Sequence, residues 1–227
     1  MVKKKVLIIS YYWPPSGGSG VQRWLKLTKY LPEYGWEPFI LTPENPEFDQ
    51  KDYSLLNEVD SKVQVFKCSI WEPFTIYKKL LGKRGDKQGL IPSKAKKSIL
   101  GSLVTWIQGN VFVPDPRMFW KREAVPFAKS IIENEGIGLI VTTGPPHSMH
   151  LIGRELQTKT GVKWIADFRD PWSKLDISEE LNQTKWTAKR QANFEKSVLK
   201  KANGVIGVSS TWVQDLSKIQ EGNYKII

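Results

Sequence analysis

Residues 6–31 read VLIISYYWPPSGGSGVQRWLKLTKYL. An apolar run from Val6 to Ile9 leads into two tyrosines, a tryptophan and two prolines. Gly17, Gly18 and Gly20 then open a stretch with helical spacing of apolar residues. An apolar strand followed by a glycine-rich elbow and a helix is the opening unit of a wound parallel sheet. Glycines there allow a turn that a Cβ would resist, and they let a ligand approach the backbone.

The rest of the chain repeats the alternation. Strands are expected at 5–10, 37–42, 63–67, 137–142, 162–167, 204–208 and 224–227, several of them apolar almost throughout, as in strands covered on both faces. Helices are expected near 20–34, 94–110, 118–135, 146–160, 179–202 and 210–219. The fold class is therefore α/β, a Rossmann-like, doubly wound, mostly parallel sheet. Residues 71–117 interrupt the rhythm: between Lys78 and Lys97 they hold eight basic residues and one acid, Asp86, flanked by Trp71, Phe74, Tyr77 and Trp106. Such an insertion suits a membrane face or an anionic ligand, or forms a solvated helical hairpin.

The 227 residues are 40% hydrophobic and 25% charged, in the range of globular domains. Thirty-four Lys and Arg oppose 23 Asp and Glu, a net charge of +11 that attracts phosphates, nucleic acid or an anionic membrane. The single cysteine, Cys68, excludes an internal disulfide framework and points to a reducing compartment. No run approaches the roughly 18 apolar residues of a membrane-spanning helix, and the basic start MVKKKVLIIS lacks a signal-peptide core. A cytoplasmic protein, at most peripheral to a membrane, is expected. The ending EGNYKII reads as the opening of a strand, which suggests a fragment of a longer chain.

A helix beginning near Ser19 or Gly20 aims unpaired N–H groups and its positive dipole end at the elbow, a ready anion site. Gly17, Gly18, Ser19 and Gly20 are the expected phosphate loop, with Arg23 one turn later as a charged clamp. Arg23 stands where a dinucleotide fingerprint has its third glycine, and Leu41-Thr42-Pro43 replaces the ribose-binding acid. Hydride transfer is thereby disfavoured, and no G-K-[ST] phosphate loop is present.

Two further segments fall at strand ends, where such sheets hold ligands. TTGPPHSMH (142–150) puts His147 at a helix start, within reach of a substrate hydroxyl or phosphate, or as a lone cap; His150 is read as packing. ADFRDPWS (166–173) offers Asp167, Arg169 and Asp170 with the flat ring of Trp172 for a sugar face; alternatively Arg169 and Asp170 neutralise each other. VPDPRMFWKRE (113–123) adds Arg117, Trp120 and Arg122 as another wall. Two histidines and one cysteine, far apart, make no metal ligand set, and no G-x-S-x-G elbow occurs.

Taken together, KVLIISYYWPPSGGSGVQRWLKLTKYLPEYGWEPFILT, VPDPRMFW, TTGPPHS, ADFRDPWS and EKSVLKKANGVIGVSS resemble the N-terminal domain of a family 4 glycosyltransferase of the GT-B fold, closer to the bacterial surface-polysaccharide branch than to sucrose or glycogen enzymes. The resemblance covers essentially the whole chain. It implies an acceptor-side lobe that faces a separate C-terminal, donor-binding lobe, and retaining, metal-independent transfer from a nucleotide-sugar donor to a glycan or lipid-linked acceptor without a further cofactor. It carries the glycine loop over to Gly17, Gly18, Ser19 and Gly20, near the donor phosphates. His147 and Asp170 become the catalytic candidates, and Arg23, Arg117, Arg169 and Trp172 the substrate contacts. Relatives often place a histidine at the strand end, where this chain has Gly144, and the resemblance implies an Arg/Lys pair and an E-x7-E motif in a second lobe that this sequence does not contain. The other readings are a non-catalytic module binding nucleotide sugars or anionic glycans, and a nucleic-acid binder that fits the charge but has no recognition motif.

Overall fold

The computed structural model describes residues 3–48, 50–72, 105–107, 109–173 and 182–227. The basic stretch from Lys78 to Lys97, and most of the helix expected over 94–110, lie outside the described residues.

Seven strands form one sheet: β1 (Lys4–Ile9), β2 (Trp36–Pro43), β3 (Gln64–Cys68), β4 (Leu139–Gly144), β5 (Lys163–Phe168), β6 (Gly204–Gly207) and β7 (Tyr224–Ile226). Their order is β3-β2-β1-β4-β5-β6-β7 and every pairing is parallel. Among the described residues the longer helices are α1 (Ser19–Tyr30), α2 (Lys121–Glu135), α3 (Ser148–Thr160), α4 (Lys185–Lys201) and α5 (Ser210–Ile219). The chain winds outward from β1 through β2 to β3, then returns to β4 on the other side of β1. That reversal opens a crevice at the carboxyl ends of β1 and β4.

The sheet divides the core in two. Leu7, Ile9, Phe39, Leu41, Ile140, Trp164 and Ala166 project to the face covered by α2, α3, α4 and α5. Val6, Ile8, Ile40 and Val141 project to the other, against Val21, Trp24 and Leu25 of α1. Val6 to Ile9 are all buried because β1 is central and covered on both sides. In α1 the buried residues Val21, Trp24, Leu25 and Thr28 recur at helical spacing and form one stripe. The helix expected over 20–34 is shorter than its pattern: from Leu31 the chain tightens into a 3-10 turn carrying Pro32, and Gly35 closes it in the left-handed region (φ 77°). A second 3-10 turn, Tyr53–Glu58, was not expected from periodicity, and it covers α1 through the buried Leu55.

Leu7 is fully buried at the centre of the larger cluster. Leu7→Ala is expected to destabilise the fold by about 3 kcal/mol, the range for a truncated core leucine. The midpoint of urea unfolding, with unchanged slope, measures it.

Candidate functional site

Three loops meet at the carboxyl edge: the elbow after β1, the Gly144–His147 turn after β4, and the Arg169–Ser173 loop after β5. Gly18 holds φ 82° and ψ −177°, a conformation that only glycine adopts without strain. It is the N-cap of α1 and supplies no side-chain acceptor, and the first turn contains no acid. Gly18 and Ser19 are exposed. The helix thus begins at two exposed residues, and its first amides have no intrahelical acceptor. Gly17 is corrected from the expected phosphate loop: its amide already donates to the Gln50 carbonyl at 3.0 Å. Together with the Asp52 amide on the Pro15 carbonyl (2.8 Å), this bond pins the elbow and sets the turn.

The starts of α3, α4 and α5 are filled, and α2 runs on without a side-chain cap from the 3-10 turn Pro116–Trp120. The Ser148 amide and hydroxyl both donate to the Asp115 carboxylate, at 2.8 Å each, so a side-chain anion already sits on α3. Burial raises the Asp115 pKa, against the hydrogen bonds from Ser148 and Arg117. Thr184 caps α4 and Ser209 caps α5. α1 differs from these: it follows the glycine turn directly, with neither a side-chain cap nor a preceding helical turn.

A buried carboxylate positions that opening. Asp167, at the end of β5 and fully buried, accepts from the Trp24 indole (2.7 Å), the Thr143 hydroxyl (2.9 Å) and Arg23 Nε (3.2 Å). Arg23 Nη2 lies 3.1 Å from its other oxygen. One acid therefore joins α1 to β4 and β5. Arg23, expected as a charged clamp, is engaged here by Asp167 and by the Ile227 carbonyl, and it helps to place α1.

Arg169 sits beside the opening. Its Nη1 donates to the Gly20 carbonyl at 3.0 Å, its Nη2 to the Pro145 carbonyl, and its amide to the Gly144 carbonyl at 3.0 Å. Its guanidinium lies 5.9 Å from the Tyr12 ring centre. These main-chain acceptors hold the group in place without neutralising it. Burial works against its charge, while Asp167 and Asp170 favour it. Asp170 is exposed at the same loop.

His147 and Trp172 are corrected more sharply. Trp172 is 4% exposed, donates to Gln191 at 2.7 Å, and is covered by the His147 ring in a parallel stack (4.9 Å, 4°). It offers no open face to a sugar. His147 is buried, with Nε2 3.2 Å from the Pro171 carbonyl, which can only accept; that nitrogen therefore carries the proton. Burial pushes its pKa down to about 3, so at neutral pH it is an uncharged packing group, not a poised acid. His150 is also buried and its pKa is lowered by desolvation. Its ring occupies the space beside Gly144, where a Cβ would come 2.6 Å from Nε2.

Arg117 is engaged by a buried acid and a tyrosine ring. Its Nε is 3.2 Å from Glu72, which also accepts the Tyr11 hydroxyl (2.8 Å) and the Glu47 amide (2.8 Å). Its guanidinium lies over the Tyr11 ring at 5.2 Å. Glu72, Asp115 and Asp167 are the groups that residue patterns missed as organisers. Only Asp115 left a local signal, an acid before the proline that starts the 3-10 turn Pro116–Trp120. Among the described residues, no three or more His, Cys, Asp or Glu side chains gather for a metal ion.

The arrangement of open amides, a fixed cation and a nearby carboxylate can hold a phosphate and contact a hydroxyl next to it. No known protein-family profile matches the chain, and no curated protein matches its sequence. Solved structures do match. A glycosyltransferase from Rickettsia africae superposes with a TM-score of 0.50 at 15% identity, over 99% of this chain and 42% of that one. The apo UGT2 of Phytolacca americana gives 0.53 at 10% identity, over 99% and 51%. UGT73P12 of Glycyrrhiza uralensis, complexed with glycyrrhetinic acid 3-O-monoglucuronide, gives 0.52 at 10% identity, over 99% and 48%. The chain has a Rossmann-like α/β fold shared with these GT-B glycosyltransferases, and spans about half or less of their length.

Two measurements check the site's framework. Asp167→Ala, which leaves Arg23 without its buried partner, is expected to lower stability by about 3–5 kcal/mol. For the histidines, a folded pKa below the free value near 6.5 means stability is complete above that value and falls as pH drops towards the folded one. Between pH 7.5 and pH 5 His147 contributes a loss of about 2 kcal/mol, and His150 acts in the same direction. His147→Phe, which keeps a flat ring against Trp172, should make that dependence shallower in pH-dependent urea unfolding.

Proposed function

We propose that this chain is the acceptor-side lobe of a retaining, metal-independent glycosyltransferase, of the family 4, surface-polysaccharide type. The nucleotide-sugar donor binds mainly to a second, C-terminal lobe, and its diphosphate reaches across to the elbow of this one. The observation that carries the reading is the uncapped start of α1, fixed by Asp167 beside Arg169, whose guanidinium is held by main-chain carbonyls. As the glycosidic bond to the diphosphate breaks, negative charge grows on the leaving oxygens. Preset N–H donors of Gly18, Ser19 and Gly20 and the Arg169 cation stabilise that charge without reorganising. Asp170, exposed beside them, takes a hydroxyl of the sugar or acceptor. His147 acts by holding the Arg169–Ser173 loop in place.

The acceptor is a glycan or a lipid-linked glycan at the cytoplasmic face of a membrane, with peripheral contact suited to the net charge of +11. Among the described residues no helix is long and apolar enough to cross one. A second reading, a non-catalytic module for nucleotide sugars, shares the same pocket.

Isothermal titration of the 227-residue chain with pyrophosphate, UDP, GDP and ADP tests the shared pocket. Binding is expected for the diphosphates, with a loss of about tenfold or more in Gly18→Ala and in Arg169→Ala. Absence of binding by all four at millimolar concentration overturns both readings. Sugar transfer by the chain joined to its donor-binding lobe, lost in Arg169→Ala, selects the enzyme over the module.

A further inference from the structure

The outer face of α4 carries a charge pattern that the crevice does not use. The helix contains six cations and one acid, and the acid, Glu195, is buried against Ser173. At about 100° per residue, Lys185, Lys189, Lys196 and Lys200 fall within an arc of about 60° and along about 22 Å of helix. All four are exposed, and none forms an ion pair with another described residue. Thr187, Gln191, Glu195, Val198 and Leu199 occupy the opposite, buried side, so the stripe faces solvent.

Large apolar groups border one end of the stripe. Trp186 is 65% exposed, with the Arg190 guanidinium 5.3 Å from its ring centre. Asn110 ties the segment bearing Trp106 and Val111 to the first turn of α4. Its amide nitrogen donates to the Trp106 and Asn182 carbonyls, at 2.9 and 3.1 Å, and its oxygen accepts from the Thr184 amide (2.8 Å) and the Thr187 hydroxyl (2.9 Å). Trp106 and Val111 are also exposed. Because α4 follows β5, this end lies at the carboxyl edge, the edge of the crevice.

We infer that the α4 lysine stripe, with Trp186, Trp106 and Val111 at its end, is the surface that docks this chain on an anionic lipid bilayer. The inference deepens the membrane contact proposed above and rests on it. Lysines are point charges on flexible stems that suit a diffuse, fluid surface of lipid phosphates, whereas paired recognition of fixed phosphates or carboxylates favours arginine forks. Exposed tryptophans beside them match the depth of lipid headgroups and have no counterpart on a nucleic-acid backbone. Docked this way, the crevice opens next to the bilayer, where a lipid-linked acceptor would present its head.

Co-sedimentation of the chain with phosphatidylcholine vesicles, with and without about 30 mol% phosphatidylglycerol, tests this. Binding is expected only to the anionic vesicles, fading as salt rises from about 0.1 to about 0.5 M. Reversing the stripe (Lys185→Glu, Lys189→Glu, Lys196→Glu, Lys200→Glu) should weaken partitioning by about 100-fold, and Trp186→Ala by about fivefold. The corresponding four Lys→Gln changes guard against misfolding and should act in the same direction. In parallel, Lys78→Glu, Lys79→Glu, Lys83→Glu and Arg84→Glu should leave most of the binding. If that second set abolishes binding and the stripe variants do not, membrane contact stands and the α4 face is wrong. If the unaltered chain ignores anionic vesicles, the membrane reading itself falls. Stripe-dependent capture of duplex DNA without vesicle binding overturns the inference in favour of a nucleic-acid face.

Discussion

The crevice depends on one buried carboxylate. Asp167 ends a central strand with no exposure, and an anion there would be strongly destabilising without partners. Its partners come from two other elements: Trp24 and Arg23 from α1, and Thr143 from β4. Satisfying the charge therefore requires α1 to lie at one height and rotation relative to the strands. The exposed start of that helix, and with it the elbow, inherits its position from a hydrogen-bond requirement deep in the core.

Around that fixed point the edge separates filled from open helix starts. Asp115 closes α3, while Thr184 and Ser209 close α4 and α5. Gly18, lacking a side chain, leaves α1 to an outside acceptor. Arg169 then adds a cation whose own hydrogen bonds go to main-chain carbonyls, with Asp167 and Asp170 near enough to favour its charge. Selectivity for one place along a row of similar loops follows from which caps are built in.

Much of this architecture was legible in residue patterns. All seven strands fall within two residues of their expected bounds, because runs such as Val6–Ile9 and Ile140–Thr143 are apolar or small enough to be covered on both faces. The elbow was legible because Gly18 occupies backbone space closed to other residues. The site's side chains were less so. Arg23, Arg117, His147 and Trp172 look like ligand groups in the sequence, yet each is claimed by a partner distant along the chain: Asp167, Glu72, the Pro171 carbonyl with Trp172, and Gln191. Polarity names what a side chain can do, but only tertiary neighbours decide whether it is already doing it. The interruption of α1 at Pro32 is the same lesson for backbone, where local geometry overrode a continuing pattern.

The histidine lying across the end of β4 has a bearing on how this lineage can vary. Gly144 and His150 share one small volume, too tight for a methyl group on the strand and an imidazole on the helix together. Position 144 is the constrained one: a chain that acquires a side chain there must first move or surrender the ring at 150. The order of change at that pair is therefore set by sterics, 150 before 144.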